Sequence, residues 1–370
     1  LVSESAHRRY LATRYFASLD GLRCLAILPV IWHHATPRPL PGLLGKGPAG
    51  VDLFFCISGF LITTLLLREQ SQTGSIALLA FYGRRALRIL PLYFAVLLGY
   101  ALLAYCLPES APQRAHFFRT LPYYATFSAN WFADFGVSYP ILFSFAWSLC
   151  VEEQFYAFWP WLVRALPRSA AALAMLGLLS VDEAVGRGLL ASLLPAQALR
   201  IVTSFAAPIG LGALLALALD WAPTFSALRH VLGKPWSAPV ALLTVTTLLV
   251  WQRAPLIVFQ SSLASLVGAC VLRERHGLRL LLEARPARYV GRVSYGLYLL
   301  NLTAIGLVRR AIPAHAASAS FVFWLSLPLA LLLAALSHRY FEAPLLRLRS
   351  RPDAGGATLS TAQRSSTKSA

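Results

Sequence analysis

Residues 14–34, RYFASLDGLRCLAILPVIWHH, decide how the chain is read, because this apolar run carries a guanidinium and two imidazoles where lipid tolerates neither. Read as a helix from Leu19 to His34, it places Arg23 and His34 eleven residues apart, which is ~20° from eclipsed and roughly 16 Å along the axis. Both side chains therefore look the same way. Ionisable groups inside a membrane segment face a bundle interior or a watered cavity far more often than lipid, so the pair marks a candidate site. The plainer reading is an ion-paired arginine and a hydrogen-bonded histidine. His33 points ~80° away from Arg23 and is the less suited of the two imidazoles.

The rest of the chain agrees with a bilayer. Of its 370 residues, 57% are hydrophobic and 13% charged, too apolar for one soluble domain. A net charge of +18 suits nucleic acid only in a soluble protein; here the basic residues form short clusters between apolar runs, which excludes that partner. Cys24, Cys56, Cys106, Cys150 and Cys270 are scattered singly, which argues against a disulfide framework and against a metal site. The basic first 18 residues and the lack of a small-residue cleavage site predict that the first span is retained.

With ~17 to 25 apolar residues per crossing, the expected fold is all-α: a polytopic membrane domain over 1–349. Its ten helices are expected near 19–36, 48–67, 88–107, 140–163, 169–186, 199–219, 236–252, 255–272, 293–311 and 320–341. The fifth is interrupted by Asp182 and Glu183. With both ends in the cytoplasm, the inner connections hold about twenty Lys and Arg against nine outside, as the positive-inside rule requires. The connection at about 108–139 is read as a functional lid or a disordered loop, and 350–370 as a disordered cytoplasmic tail.

Several stretches inside this frame carry chemistry. GVDLFFCISGFLIT at 50–63 offers Asp52 near the level of His34, and Ser58 with Gly59 as small residues for close helix approach. RRALRILP at 84–91 sets Arg84, Arg85 and Arg88 at the inner mouth of the third span, either as a topology signal or as a polyanion clamp. WSLCVEEQFY at 147–156 buries two carboxylates among Trp147, Ser148 and Tyr156. Adjacent helical residues diverge by ~100°, so only one of Glu152 and Glu153 serves a given site. SYGLYLLN at 294–301 puts Ser294, Tyr298 and Asn301 on one side of the ninth span. Glu342 is a candidate partner for an arginine of the basic loops.

In order, R(x)4LDGLR(x)10H from Arg14 through Asp20 to His34, GVDLFFxxSGFLI, RRxxRxxP, WSLxVEEQFY and SYGLYL resemble the acyltransferase-3 family of bacterial integral-membrane O-acyltransferases. The resemblance covers residues 14 to about 345. It implies transfer of an acyl group, commonly acetyl from acetyl-CoA, to a hydroxyl of a sugar, surface polysaccharide such as lipopolysaccharide or exopolysaccharide, or glycoside, in the cytoplasmic membrane. Acyl-CoA is then a donor substrate and no cofactor is permanently bound. Carried onto this chain, Arg23, Arg84, Arg85 and Arg88 hold acyl-CoA. His34 is the base, oriented by Asp52, Glu152 or Glu153. Asp20, Ser58, Trp147, Ser148, Tyr156, Tyr298 and Asn301 are polar groups for the acceptor or for structure. Where the family often has His, this chain has Asn301, which favours His34 as the base. A small antibiotic glycoside as acceptor, and a transporter with Arg23, Glu152 and Asp52 along a polar path, are the competing readings. Acceptor, acyl length and oligomeric state stay open.

Overall fold

The computed structural model describes residues 2–36, 46–138, 140–190, 192–251, 254–312 and 318–348, and the regular structure among them is helical, without strands. In chain order the helices are α1 (Val2–Ala12), α2 (Ala17–Ala35), α3 (Pro48–Thr73), α4 (Leu78–Tyr105), α5 (Pro112–Ala125) and α6 (Ala129–Phe132). There follow α7 (Ala146–Ala165), α8 (Arg168–Gly186), α9 (Ala196–Val202), α10 (Ala207–Asp220), α11 (Ala222–Leu232) and α12 (Ser237–Val250). The series ends with α13 (Leu256–Leu272), α14 (Arg279–Leu282), α15 (Arg285–Arg292), α16 (Ser294–Ala311) and α17 (Ala319–Ser337), then a π-helical turn (His338–Glu342) and α18 (Ala343–Leu348). Each of the ten expected segments contains a helix. Five stretches are long and apolar enough to cross a membrane unaided, and a sixth arises if α1 and α2, bent by 65°, count as one span. The protein is thus an all-helical, multi-pass membrane protein. The expected tail at 350–370 lies outside the described residues.

Sequence windows misplace several ends because hydropathy measures what lipid accepts, not where backbone hydrogen bonding stops. Helix α4 starts at Leu78, ten residues before the expected 88, so Arg84, Arg85 and Arg88 sit within its first three turns. Helix α3 runs on to Thr73 and stops at Gly74, whose φ of 77° is the left-handed conformation that glycine adopts without strain. The polar first residues form α1, which seats His7 and Tyr10 against Phe225 of α11 at ring distances of 4.7 and 5.5 Å.

The connection read as a lid or loop is a packed layer instead. It folds into α5 and α6, with Phe117, Tyr124 and Ala129 fully buried. Tyr93 of α4 donates to the Tyr124 carbonyl at 2.8 Å, and Asn130 and Gln154 exchange amide hydrogen bonds at 3.0 and 2.9 Å. Tyr124 and Asn130 thereby tie the layer to α4 and α7.

Helix α2 is the axis of the bundle, touching α3 and α13 through α17. Leu19, Leu22 and Ala26 join one apolar cluster with Phe60, Phe225 and Leu263, whereas Ile27, Val30 and Ile31 join another with Phe55, Tyr93 and Phe143. Association of helices in lipid rests on close packing rather than on escape from water, and two crossings show it. A Cβ on Gly59 of α3 would overlap the Ile209 carbonyl oxygen of α10, and one on Gly291 of α15 would overlap that of Asp20. Substituting either glycine would push α10 off α3 or α15 off α2.

Candidate active site

At the start of α2 a basic vestibule of about 330 Å³ is lined by Arg14, Arg23, Arg68, Arg85, Arg88 and Arg292, with Tyr15, Asp20 and Ser58 in the same wall. Asp20 answers only part of this charge: it pairs with Arg23 at 3.3 Å and accepts from the Tyr15 hydroxyl. Desolvation first, and the bond to Asp20 second, raise the Tyr15 phenol above its ordinary range. Arg68 is committed to structure, donating to the carbonyls of Thr13 at 2.5 Å and Tyr10 at 3.1 Å. Arg23 and Arg85 each lie close enough to Arg88 to be repelled by it. Three guanidiniums crowded this way call for a polyanion.

Arg23, Ser58, Arg85, Arg88 and Tyr156 also border a narrower cavity of about 100 Å³, whose further walls are Val51, Phe54, Phe55, Ile89, Leu149, Ser148, Tyr295 and Tyr298. The vestibule is charged and the throat above it is largely apolar. Glu152 lies at their junction, accepting hydrogen bonds from Ser58 Oγ at 2.5 Å and from the Tyr156 hydroxyl. Arg85 stacks its guanidinium over the Tyr156 ring at 5.3 Å and over Phe81 at 5.8 Å. A cation held on aromatic faces keeps its donors free for an incoming oxyanion.

His34 lies at the other end of α2, part-buried, with Nδ1 2.7 Å from Oδ1 of the fully buried Asn301. The direction of this bond follows from the rest of the amide. Asn301 Nδ2 donates to the carbonyls of Leu297 at 3.2 Å and Tyr298 at 2.6 Å, so its oxygen is the atom turned to the imidazole. His34 must therefore carry its proton on Nδ1 and present an unprotonated Nε2. That is the tautomer a general base needs. The throat approaches this pair without reaching it: Tyr298, which lines the throat and meets Ser148 Oγ at 2.5 Å, is one helical turn from Asn301.

The structure sorts the residues singled out by sequence. Arg23, Arg85, Arg88, Ser58, Ser148, Glu152, Tyr156 and Tyr298 meet around the two cavities. The group that meets His34 is Asn301 and not Asp52, Glu152 or Glu153: Glu152 is held by Ser58 and Tyr156, and among the described residues no hydrogen bond joins the imidazole to Asp52 or Glu153. Glu153 points away from the cavity on the ~100° divergence from Glu152, though near enough to Arg85 to act on its charge. Arg84 turns to Glu69, 3.0 Å away, and leaves the vestibule to its neighbours. Trp147 packs edge-on to Phe55 at 6.3 Å and faces a separate hollow with Asn130, Asp134 and Arg200. Glu342 accepts from Ser337 Oγ at 3.1 Å and lies 3.9 Å from His338, rather than meeting an arginine of the loops. Sequence reasoning missed Arg292 and Tyr295: Tyr295 lies inside the SYGLYL string, next to Ser294, and Arg292 two residues before that string begins.

Comparison with known proteins adds to this geometry. A family model described as an acyltransferase domain matches residues 16–338. The O-acetyltransferase OatA of Staphylococcus aureus (strain NCTC 8325 / PS 47) is 27% identical over 90% of this chain and 57% of its own length. A Bacillus subtilis (strain 168) protein named as a putative peptidoglycan O-acetyltransferase is 28% identical over 90% of the chain and 55% of its own. A Staphylococcus aureus (strain COL) protein named as a putative O-acetyltransferase is 39% identical over 41% of the chain and 25% of its own. The chain therefore spans between a quarter and somewhat over half of these relatives. No solved structure matches it.

Proposed function

This chain belongs to the acyltransferase-3 family, and on that premise we propose that it moves an acetyl group from acetyl-CoA to a hydroxyl of a cell-envelope glycan. The acceptor class leans on the relatives, all three of which carry O-acetyltransferase names and one of them the word peptidoglycan. We further propose ten crossings with both ends inside and a place in the bacterial cytoplasmic membrane, on the strength of the lysine and arginine distribution.

The observation that carries the reading is the pairing on one helix of a guanidinium cluster at Arg23 with a tautomer-fixed imidazole at His34. In this reading Arg23, Arg85 and Arg88 take the donor's diphosphate, for which forked guanidinium donors are suited. The pantetheine arm fills the apolar throat and carries the thioester past Tyr298 towards His34. A sugar hydroxyl is a poor nucleophile near neutral pH. His34 Nε2 accepts its proton as the oxygen bonds to the thioester carbonyl carbon. The tetrahedral adduct then breaks its C–S bond, and the departing sulfur takes the proton back from the imidazolium. Asn301 holds Nδ1–H through both transfers, the part an amide plays beside histidine in a Cys-His-Asn arrangement.

The test is release of free thiol from acetyl-CoA by the protein in proteoliposomes, with and without soluble peptidoglycan fragments. Acceptor-dependent thiol release with O-acetylated product in the mass spectrum is the expected result. A protein that only moves solute across the bilayer would release none.

A further inference from the structure

Beside the vestibule lies a larger cavity, about 570 Å³, for which the reaction as described has no use. Five guanidinium-bearing residues from separate parts of the chain border it: Arg9 of α1, Arg229 at the end of α11, Arg273 and Arg275 of the α13–α14 connection, and Arg279 of α14. Two carboxylates, Glu274 and Glu283, oppose them. Glu283 is already engaged, by Arg279 at 2.9 Å and by Ser18 Oγ at 3.0 Å. Arg273 donates to the carbonyls of Arg275 at 3.0 Å and Gly233 at 3.3 Å. The guanidiniums of Arg9, Arg229 and Arg275 make no hydrogen bond or ion pair among the described residues, so the cavity holds cationic donors in excess of what its own carboxylates answer.

Its position gives that excess a meaning. Tyr15 and Phe16 line both this cavity and the vestibule, just as Arg23, Ser58, Arg85, Arg88 and Tyr156 line both the vestibule and the throat. Three spaces therefore follow one another, of about 570, 330 and 100 Å³: the first polar and arginine-bordered, the second arginine-lined, the third narrow and apolar. The ridge between the first two carries Tyr15, 52% exposed, with the Arg288 guanidinium 5.6 Å from its ring on one face, so that a base would lie on the opposite aromatic face. This order of width and polarity matches one class of molecule, a phosphorylated nucleoside joined by a diphosphate to a thin amide arm.

Resting on the acyl-CoA reading, we propose that the outer cavity binds the 3′-phosphorylated adenosine end of the donor, with Arg229 and Arg275 on the 3′-phosphate and Tyr15 and Phe16 against the base. The vestibule then grips the diphosphate. The site selects coenzyme A over carriers that end at the diphosphate, and donor choice is set outside the catalytic helix.

The experiment titrates the full chain in nanodiscs with coenzyme A and with 3′-dephospho-coenzyme A. Wild type should bind coenzyme A about tenfold more tightly, the scale of one or two charge-assisted hydrogen bonds. The R229Q/R275Q variant should lose that factor for coenzyme A and leave dephospho-coenzyme A unmoved. R275Q alone, at an exposed side chain where folding is not at stake, should move the same way by a smaller factor. Equal binding of the two ligands by wild type, or equal weakening of both in the variant, overturns the inference and leaves the acyl-CoA reading standing. Binding of neither by wild type removes both. Neutral nanodiscs and nanodiscs holding phosphatidylglycerol separate the phosphate sources: the preference should persist in both, and its loss whenever anionic lipid is present assigns the cavity to lipid headgroups and defeats the proposal.

Discussion

The two ends of α2 solve opposite problems. Around Arg23 the protein gathers Arg85 and Arg88, with Arg14 and Arg292 in the same wall and Asp20, Glu152 and Glu153 as the carboxylates that act on them, so charge is left over. Around His34 it spends a buried asparagine, itself anchored on two carbonyls, to satisfy one ring nitrogen and leave the other bare. On the proposed acyl-CoA reading, a ligand completes the first end, while the second is complete without one. Groups of the first kind should change how much donor is needed, and groups of the second kind how fast the bound donor reacts.

The largest break in that contrast is His34→Ala. Loss of the general base should lower kcat by about 10²- to 10⁴-fold with little change in the KM for acetyl-CoA, measured as acceptor-dependent thiol release. A rate close to wild type would place the base elsewhere. Asn301→Ala comes next. The ring keeps its nitrogen but loses the contact that fixes its tautomer, so kcat should fall on the order of tenfold to a hundredfold, a fraction of the general-base contribution. Asn301→Asp keeps an oxygen for the imidazole but sets its second oxygen against the Tyr298 carbonyl where an N–H donated, so it should recover only part of the rate. If Asn301→Ala instead raises KM and spares kcat, the residue belongs to binding and the contrast between the two ends fails.

At the other end, Arg88→Ala should raise the KM for acetyl-CoA about tenfold and leave kcat within a factor of a few, the size of one charge-assisted hydrogen bond. Arg88→Lys should recover part of this, because a point charge replaces a fork. A fall in kcat without change in KM would mean that Arg88 acts on the reacting atoms.

How much of this was legible in the chain differs by end. The helix of α2 and the shared outlook of Arg23 and His34 follow from an eleven-residue spacing, and the choice of one glutamate over its neighbour from the ~100° between adjacent positions. Spacing along one helix could not say which of the two glutamates wins, since that depends on Ser58 of α3 coming within 2.5 Å of Glu152. Nor could it find the partner of His34. A carboxylate was expected there because charge draws attention in an apolar helix, while Asn301 is neutral, buried and 267 positions away. The layer formed by α5 and α6 was missed for a similar reason: the segment read as a lid or a loop because nothing local shows that Tyr93 and Phe143 cover Tyr124.

Arg84 makes the finest test of the comparison, because it sits beside Arg85 in sequence and outside the vestibule in space. The spacing of Arg84 and Arg88 at i, i+4 suggested a shared face. It is Arg85 that shares both cavities with Arg23 and Arg88, while Arg84 is spent on Glu69, both side chains being partly exposed. Solvent screening limits such a pair to about 0.2–1 kcal/mol. Glu69 also accepts from the Ala77 backbone N–H at 2.8 Å, so it retains a partner when the arginine is removed. Arg84→Gln should therefore leave both kcat and the KM for acetyl-CoA within twofold of wild type, and lower thermal stability only slightly. A rise in KM matching that of Arg88→Ala would show that phosphate binding draws Arg84 off Glu69 and into the vestibule, and the boundary between ligand-completed and self-completed charge would have to be redrawn through the first turns of α4.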